Sequence, residues 1–126
     1  MPFIRIDTLA GRYDADQRAA ISDVLYDAVR GIGAPEGDRF QQFAEHAPGD
    51  LVFDRSYLGV ARSDGFVAIQ ITLVAGRTLD QKKSLFATIA DGLHARAGVR
   101  REDVFVSLVE VKKENWSFGN GIAQYA

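Results

Sequence analysis

The stretch VAIQITLVAGRTLDQK, residues 67–82, is matched to within one residue by PFIRIDTLAGRYDADQR, residues 2–18. Each opens on a strand-like run, Phe3-Ile4-Arg5-Ile6-Asp7 in one and Val67 to Leu73 in the other. Each then carries Ala-Gly-Arg, at 10–12 and again at 75–77, followed by a capping box, Asp14-x-x-Gln17 or Thr78-x-x-Gln81. In such a box two side chains satisfy backbone N–H groups that a helix start leaves without partners, so both boxes mark the beginning of a helix.

The match extends outward from there. Ile21, Val24, Leu25, Ala28, Val29 and Ile32 recur at helical spacing, as do Leu85, Phe86, Ile89, Ala90, Leu93 and Ala97. Each set forms one apolar stripe. Glycine closes each helix, Gly31 or Gly33 in the first and Gly98 in the second. A further strand ends each unit, Arg39 to Glu45 and Asp103 to Glu110, with Asp38 matching Asp103 and Glu45 matching Glu110. The chain therefore reads as two βαβ units, residues 2–45 and 67–110. Register agreement across the tripeptide, the box and the closing glycine argues against coincidence.

Right-handed crossovers make the two strands of each unit parallel and put both helices on one side. The expected fold is α/β (α+β): a four-stranded mixed sheet with two helices on one face. In the second unit Val104, Val106 and Leu108 face one side, and Phe105 and Val109 the other. A two-layer domain covers one of these sets, so an apolar outer face is expected to drive oligomerisation. Residues 46–65 read as a linker with room for a short strand, and 115–126 as an irregular hairpin tail.

The 126 residues make one domain, 1–126. A net charge of −2 without a basic run gives no footprint for nucleic acid. No apolar stretch approaches the ~20 residues that span a bilayer, and the amino terminus does not read as a signal peptide. A cytoplasmic protein is expected. The absence of cysteine excludes disulfides, thiolate chemistry and sulfur-ligated zinc. His94 reads as part of a solvated helix face, and His46, before Ala47-Pro48-Gly49-Asp50, as a loop residue.

Pro2, the tandem units and the tail Trp116-Ser117-Phe118-Gly119-x-Gly121-x-Ala123-Gln124 together resemble the malonate semialdehyde decarboxylase family of the tautomerase superfamily. The resemblance covers essentially the whole chain and includes Asp38-Arg39-Phe40 and Arg77 before the second helix. It implies a homotrimer with active sites near subunit boundaries, no cofactor, and a small oxo-carboxylate as substrate. It also implies that Met1 is removed, leaving Pro2 as a secondary amine that serves as acid or base. Pro2, Asp38 and Arg77 are the catalytic candidates. Arg77, with Arg39, Trp116 and Phe118, is the candidate substrate-binding set.

The sequence departs from the pattern of two neighbouring arginines before the second helix, since Val74 or Ala75 takes the first position. Arg77 thus grips a carboxylate alone or with help from elsewhere, such as Arg39 or another subunit. Three readings stay open. One is decarboxylation of malonate semialdehyde or a similar oxo acid, with protonated Pro2. The second is enol–keto tautomerisation of 2-oxo acids, with neutral Pro2. The third is a trimeric binding or assembly protein without turnover.

Overall fold

The computed structural model describes residues 2–126. The expected removal of Met1 concerns a residue outside those described. In chain order the elements are β1 (Pro2–Leu9), α1 (Ala15–Arg30), β2 (Gln41–His46), β3 (Val67–Val74), α2 (Leu79–Ala97) and β4 (Val104–Val111). Short 3₁₀ turns lie at Tyr57–Gly59, Arg101–Asp103 and Lys113–Asn115.

Both capping boxes form. The Asp14 side chain accepts from Gln17 N–H at 2.8 Å, and Thr78 Oγ1 accepts from Gln81 N–H at 3.2 Å. The Gln17 and Gln81 amide oxygens accept in return from the Asp14 and Thr78 N–H groups. Gly98 ends α2 in the left-handed conformation at φ 68°, which favours glycine. At the end of α1 that task falls to Gly33, φ 108°, while Gly31 keeps helical angles.

The sheet order is β2-β1-β3-β4. Within each unit the strands are parallel, and the units meet through the antiparallel pair β1–β3. There Ile4 pairs with Ile71, and Ile6 with Ile69. Because Ile69 and Ile71 are the repeat mates of Ile4 and Ile6, the two units are related by a local two-fold axis between these strands. Ile4, Ile6, Ile69, Ile71 and Leu73 pack against Ile21, Leu25, Val29, Leu85, Ile89 and Leu93 of the helices to make the core. Fully burying such a side chain contributes about 1.5–3 kcal/mol. The helices approach closely at Gly92, where a Cβ would stand 2.7 Å from Val24 Cγ1.

Three expectations need correction. The second strand of the first unit begins at Gln41 and runs through His46, so His46 is a strand residue. Its Nε2 lies 2.7 Å from Asp7 Oδ1. Beyond His46, the 46–65 linker contributes no sheet strand, only an isolated Pro48–Leu51 bridge and the turn at Tyr57–Gly59. The outer face is not uniformly apolar, since Gln42, Arg5, Gln70 and Ser107 stand in register across its middle. Alternation within one strand does not reveal what neighbouring strands contribute to the same face.

Candidate active site

The connectivity brings four segments to one end of the sheet. β1 starts there and β3 ends there, because Pro2 pairs with Leu73. The crossover from α1 returns to the same end, since Ile4 pairs with Gln41. β4 also leaves there, beside β3, with Val74 paired to Val111. Pro2, residues 31–40, the Ala75–Thr78 turn and the tail after Val111 are thus neighbours by topology.

Between them lies a hollow of about 490 Å³, lined by Ile32, Gly33, Pro35, Val74, Ala75, Gly76, Arg77, Gln81, Lys113 and Tyr125. Arg77 is held firmly in its wall. Its Nη1 donates to Val74 O at 2.8 Å and its Nε to Ile32 O at 3.4 Å. Two arms of the guanidinium are therefore committed to the backbone of two elements. The remaining Nη2 lies toward Gly33, 4.0 Å from where a Cβ would stand on that residue. One N–H of Nη1 and both of Nη2 remain, pre-oriented, with less rotamer freedom left to lose on binding.

A second, smaller hollow of about 210 Å³ is lined by Phe3, Phe40, Trp116, Ser117 and Phe118. Trp116 and Phe118 stack with ring planes 2° apart and centroids 5.8 Å apart, and Phe40 and Tyr125 flank Phe118. The tail is held in this path by Gln124. Its Oε1 accepts from Phe118 N–H and its Nε2 donates to Gly119 O, so side-chain bonds hold the turn rather than a strand ladder. Trp116 Nε1 is buried and has no hydrogen-bond acceptor among the described residues. Pro2 lines neither hollow itself but borders both through its neighbours. Its partner Leu73 leads into Val74 of the first, and its neighbour Phe3 lines the second.

Asp38 is 6% exposed. Burial pushes its carboxyl above the usual carboxylate range, because the charged form loses hydration. The positive charge of the chain's amino terminus acts in the opposite direction. Arg39 is directed elsewhere. Its guanidinium lies 4.1 Å from the Tyr26 ring centroid and donates to Asp23 Oδ1 at 2.8 Å, on the flank of α1. The structure brings Pro2, Asp38 and Arg77 to one end, with Trp116 and Phe118 beside them, and turns Arg39 away.

A model of a family described as tautomerase enzymes matches residues 38–119, and a second model with the same description matches residues 2–61. The probable tautomerase YusQ of Bacillus subtilis (strain 168) is 38% identical over 98% of this chain and 98% of its own length. The chain belongs to the tautomerase superfamily. Among solved structures, the tautomerase fold recurs in the FG41 malonate semialdehyde decarboxylase inhibited by 3-bromopropiolate. That chain has a TM-score of 0.89 and 40% identity, covering 98% of this chain and 93% of that one. A second malonate semialdehyde decarboxylase, described with decarboxylase and hydratase activities, matches with TM-score 0.89 and 32% identity, over 98% and 95% of the two chains. A fused 4-OT symmetric trimer is 26% identical with TM-score 0.77, over 98% and 97%.

The two halves of this superfamily member are used differently. At the opposite sheet end the repeat mate of Asp38 is Asp103, which accepts from Ser63 N–H at 2.7 Å and Ser63 Oγ at 2.6 Å. Tyr13 OH donates to Gly65 O at 2.6 Å, and a Cβ on Gly65 would meet Asp103 Oδ2 at 2.9 Å. The linker fills that end, whereas the corresponding space near Pro2 holds a hollow.

The sequence alone did not single out Lys113 or Tyr125 as lining residues. Their place depends on β4 leaving beside β3. The nearest sequence signal is Lys112-Lys113, separated from the Trp116 motif by Glu114 and Asn115. Gln81 was readable only as a cap; it is that, and it lines the hollow too. Among the described residues no group of His, Asp and Glu is placed to hold a metal ion, and no helix is long and apolar enough to cross a membrane.

Proposed function

We propose that this tautomerase-superfamily enzyme decarboxylates malonate semialdehyde or a similar small oxo acid, with Pro2 as the acid/base after loss of Met1. What supports the reading is a topology that carries the segments of Pro2, Asp38 and Arg77 to one sheet end, in a chain 40% identical to a malonate semialdehyde decarboxylase over 98% of its length. Arg77 Nη2 holds the substrate carboxylate. The Pro2 ammonium donates a hydrogen bond to the aldehyde oxygen. The bond between the carboxylate carbon and the central carbon breaks, and its electron pair moves toward that oxygen as carbon dioxide leaves. The enol or enolate so formed takes a proton at carbon to give acetaldehyde. Asp38, when ionised, stabilises the ammonium form of Pro2, and the Trp116–Phe118 stack excludes water.

A second reading has support of its own, since the curated relatives are named probable tautomerases. Enol–keto transfer needs the neutral amine, so desolvation of Pro2 must outweigh Asp38. Proton NMR of Met1-free protein with malonate semialdehyde, beside a 2-oxo acid presented as its enol, tests both. Acetaldehyde formation supports the first reading. Accelerated ketonisation without decarboxylation promotes the second, and no turnover of either leaves the binding-protein reading.

A further inference from the structure

The larger hollow contains a second cation that a three-carbon substrate leaves unused. Besides Arg77 its lining includes Lys113, carried by the 3₁₀ turn that follows β4. The two charges approach from different sides of β3. The Arg77 guanidinium is drawn toward the Ile32–Gly33 loop by its bond to Ile32 O. Lys113 arrives from β4, on the far side of β3, two residues beyond the Val74–Val111 pair.

Among the described residues no carboxylate lines this hollow. Glu110, close by, is bonded to Lys82 Nζ at 2.8 Å; that bond first, then the Gly76 N–H and the Arg77 charge, hold its carboxyl below the usual range, so it offsets Arg77 in part but not Lys113. Glu114 and the carboxyl-terminal Ala126 line an adjoining hollow with Lys112 and Lys113. No ion pair joins Lys113 to either acid among the described residues, and Arg77 forms none there. Size points the same way. At roughly 30 Å³ for each water-sized group, a three-carbon oxo acid fills well under half of the space.

We propose that Lys113 is a specificity-determining residue, and that the hollow takes a longer oxo acid with an anionic group at each end. One carboxylate would meet Arg77 Nη2 and the other Lys113 Nζ, leaving the oxo group between them toward Pro2. This rests on the functional reading above for the reaction, but not for the binding of the two charges. Unreactive probes therefore separate the two claims.

Isothermal titration of the assembled protein with glutarate, a dianion, and butyrate, a monoanion of similar length, tests it at fixed ionic strength. The expected result is glutarate bound at least about tenfold more tightly. Lys113→Gln should remove that preference, and Lys113→Arg should restore most of it. Lys112→Gln, which alters the adjoining hollow only, should keep it. Equal binding of the probes, or a preference that survives Lys113→Gln, overturns the proposal. If glutarate shows the preference while no oxo acid is turned over, the reaction assignment fails and the subsite stands.

Discussion

At the scale of residues, the contrast that matters is between Arg77 and its repeat mate Arg12. Arg77 is fixed by two backbone carbonyls in the wall of a hollow. Arg12 lies 5.2 Å from the Tyr13 ring centroid at the filled end of the sheet. A hydrogen bond to a charged group contributes about 1.5–3 kcal/mol, so Arg77→Ala should lower kcat/KM for an oxo acid by roughly tenfold to a hundredfold. Arg12→Ala should change it little, and steady-state kinetics of the two variants compare them directly. Asp38 carries a different signature. Its folded pKa is raised by burial, so between the ordinary carboxylate range and that raised value the native state binds the more protons. Stability then falls as pH rises through this window, and is highest below it. Asp38→Asn cannot titrate and should lose that slope, becoming the more stable form at neutral pH while losing activity. Denaturant midpoints between about pH 3 and pH 7 measure this, and an unchanged slope would remove Asp38 as the buried acid.

At the scale of elements, two close approaches fix how the units are assembled. Gly92 lets α2 lie against Val24 of α1, and Gly65 lets the linker lie against Asp103 and Tyr13. A methyl at either site meets packed atoms, and overpacking typically costs about 1–3 kcal/mol. Gly92→Ala and Gly65→Ala should therefore each lower the urea midpoint. Gly11→Ala has open space and should suffer only the strain of its positive φ, 73°. The helices, the strands and both capping boxes were legible in the sequence because their signals are local: a 3.6 or 2 period, and a cap three residues long. The repeat then supplied the sheet, since two like units carrying parallel strands can join side by side. Lys113, Tyr125 and the His46–Asp7 contact were not legible. Each depends on which strand ends become neighbours, and nothing near those residues records it. Pro2, Asp38 and Arg77 were found through resemblance, and the topology supplies the reason they meet. The resemblance also placed Arg39 with the site, although its guanidinium packs on Tyr26 instead.

At the scale of the whole molecule, the sheet has helices on one face only, and the other presents a surface suited to association. Phe53, Phe66 and Phe105 form a continuous aromatic cluster there. They line a hollow of about 290 Å³ with Leu51, Val52 and Tyr57. Phe105 remains 48% exposed and Leu58, held at φ 59°, 81% exposed. Apolar patches of this kind on a soluble chain mark contact surfaces. The row Gln42, Arg5, Gln70 and Ser107 can supply hydrogen bonds that set register across such a contact. A head-to-tail contact brings two different patches of the same chain together. Such a contact closes into a ring when the rotation allows. A fused 4-OT neighbour of 26% identity is itself a symmetric trimer. The homotrimer expected from the sequence would have a mass about three times the 13.8 kDa of the chain. Sedimentation equilibrium at micromolar concentration should return that mass for the wild type. Phe105→Glu should shift it toward the monomer while far-UV circular dichroism keeps the helical signal, because Phe105 lies outside the core between sheet and helices. A wild-type protein that sediments as a monomer would leave the aromatic cluster without a partner and remove the basis for placing active sites at subunit boundaries.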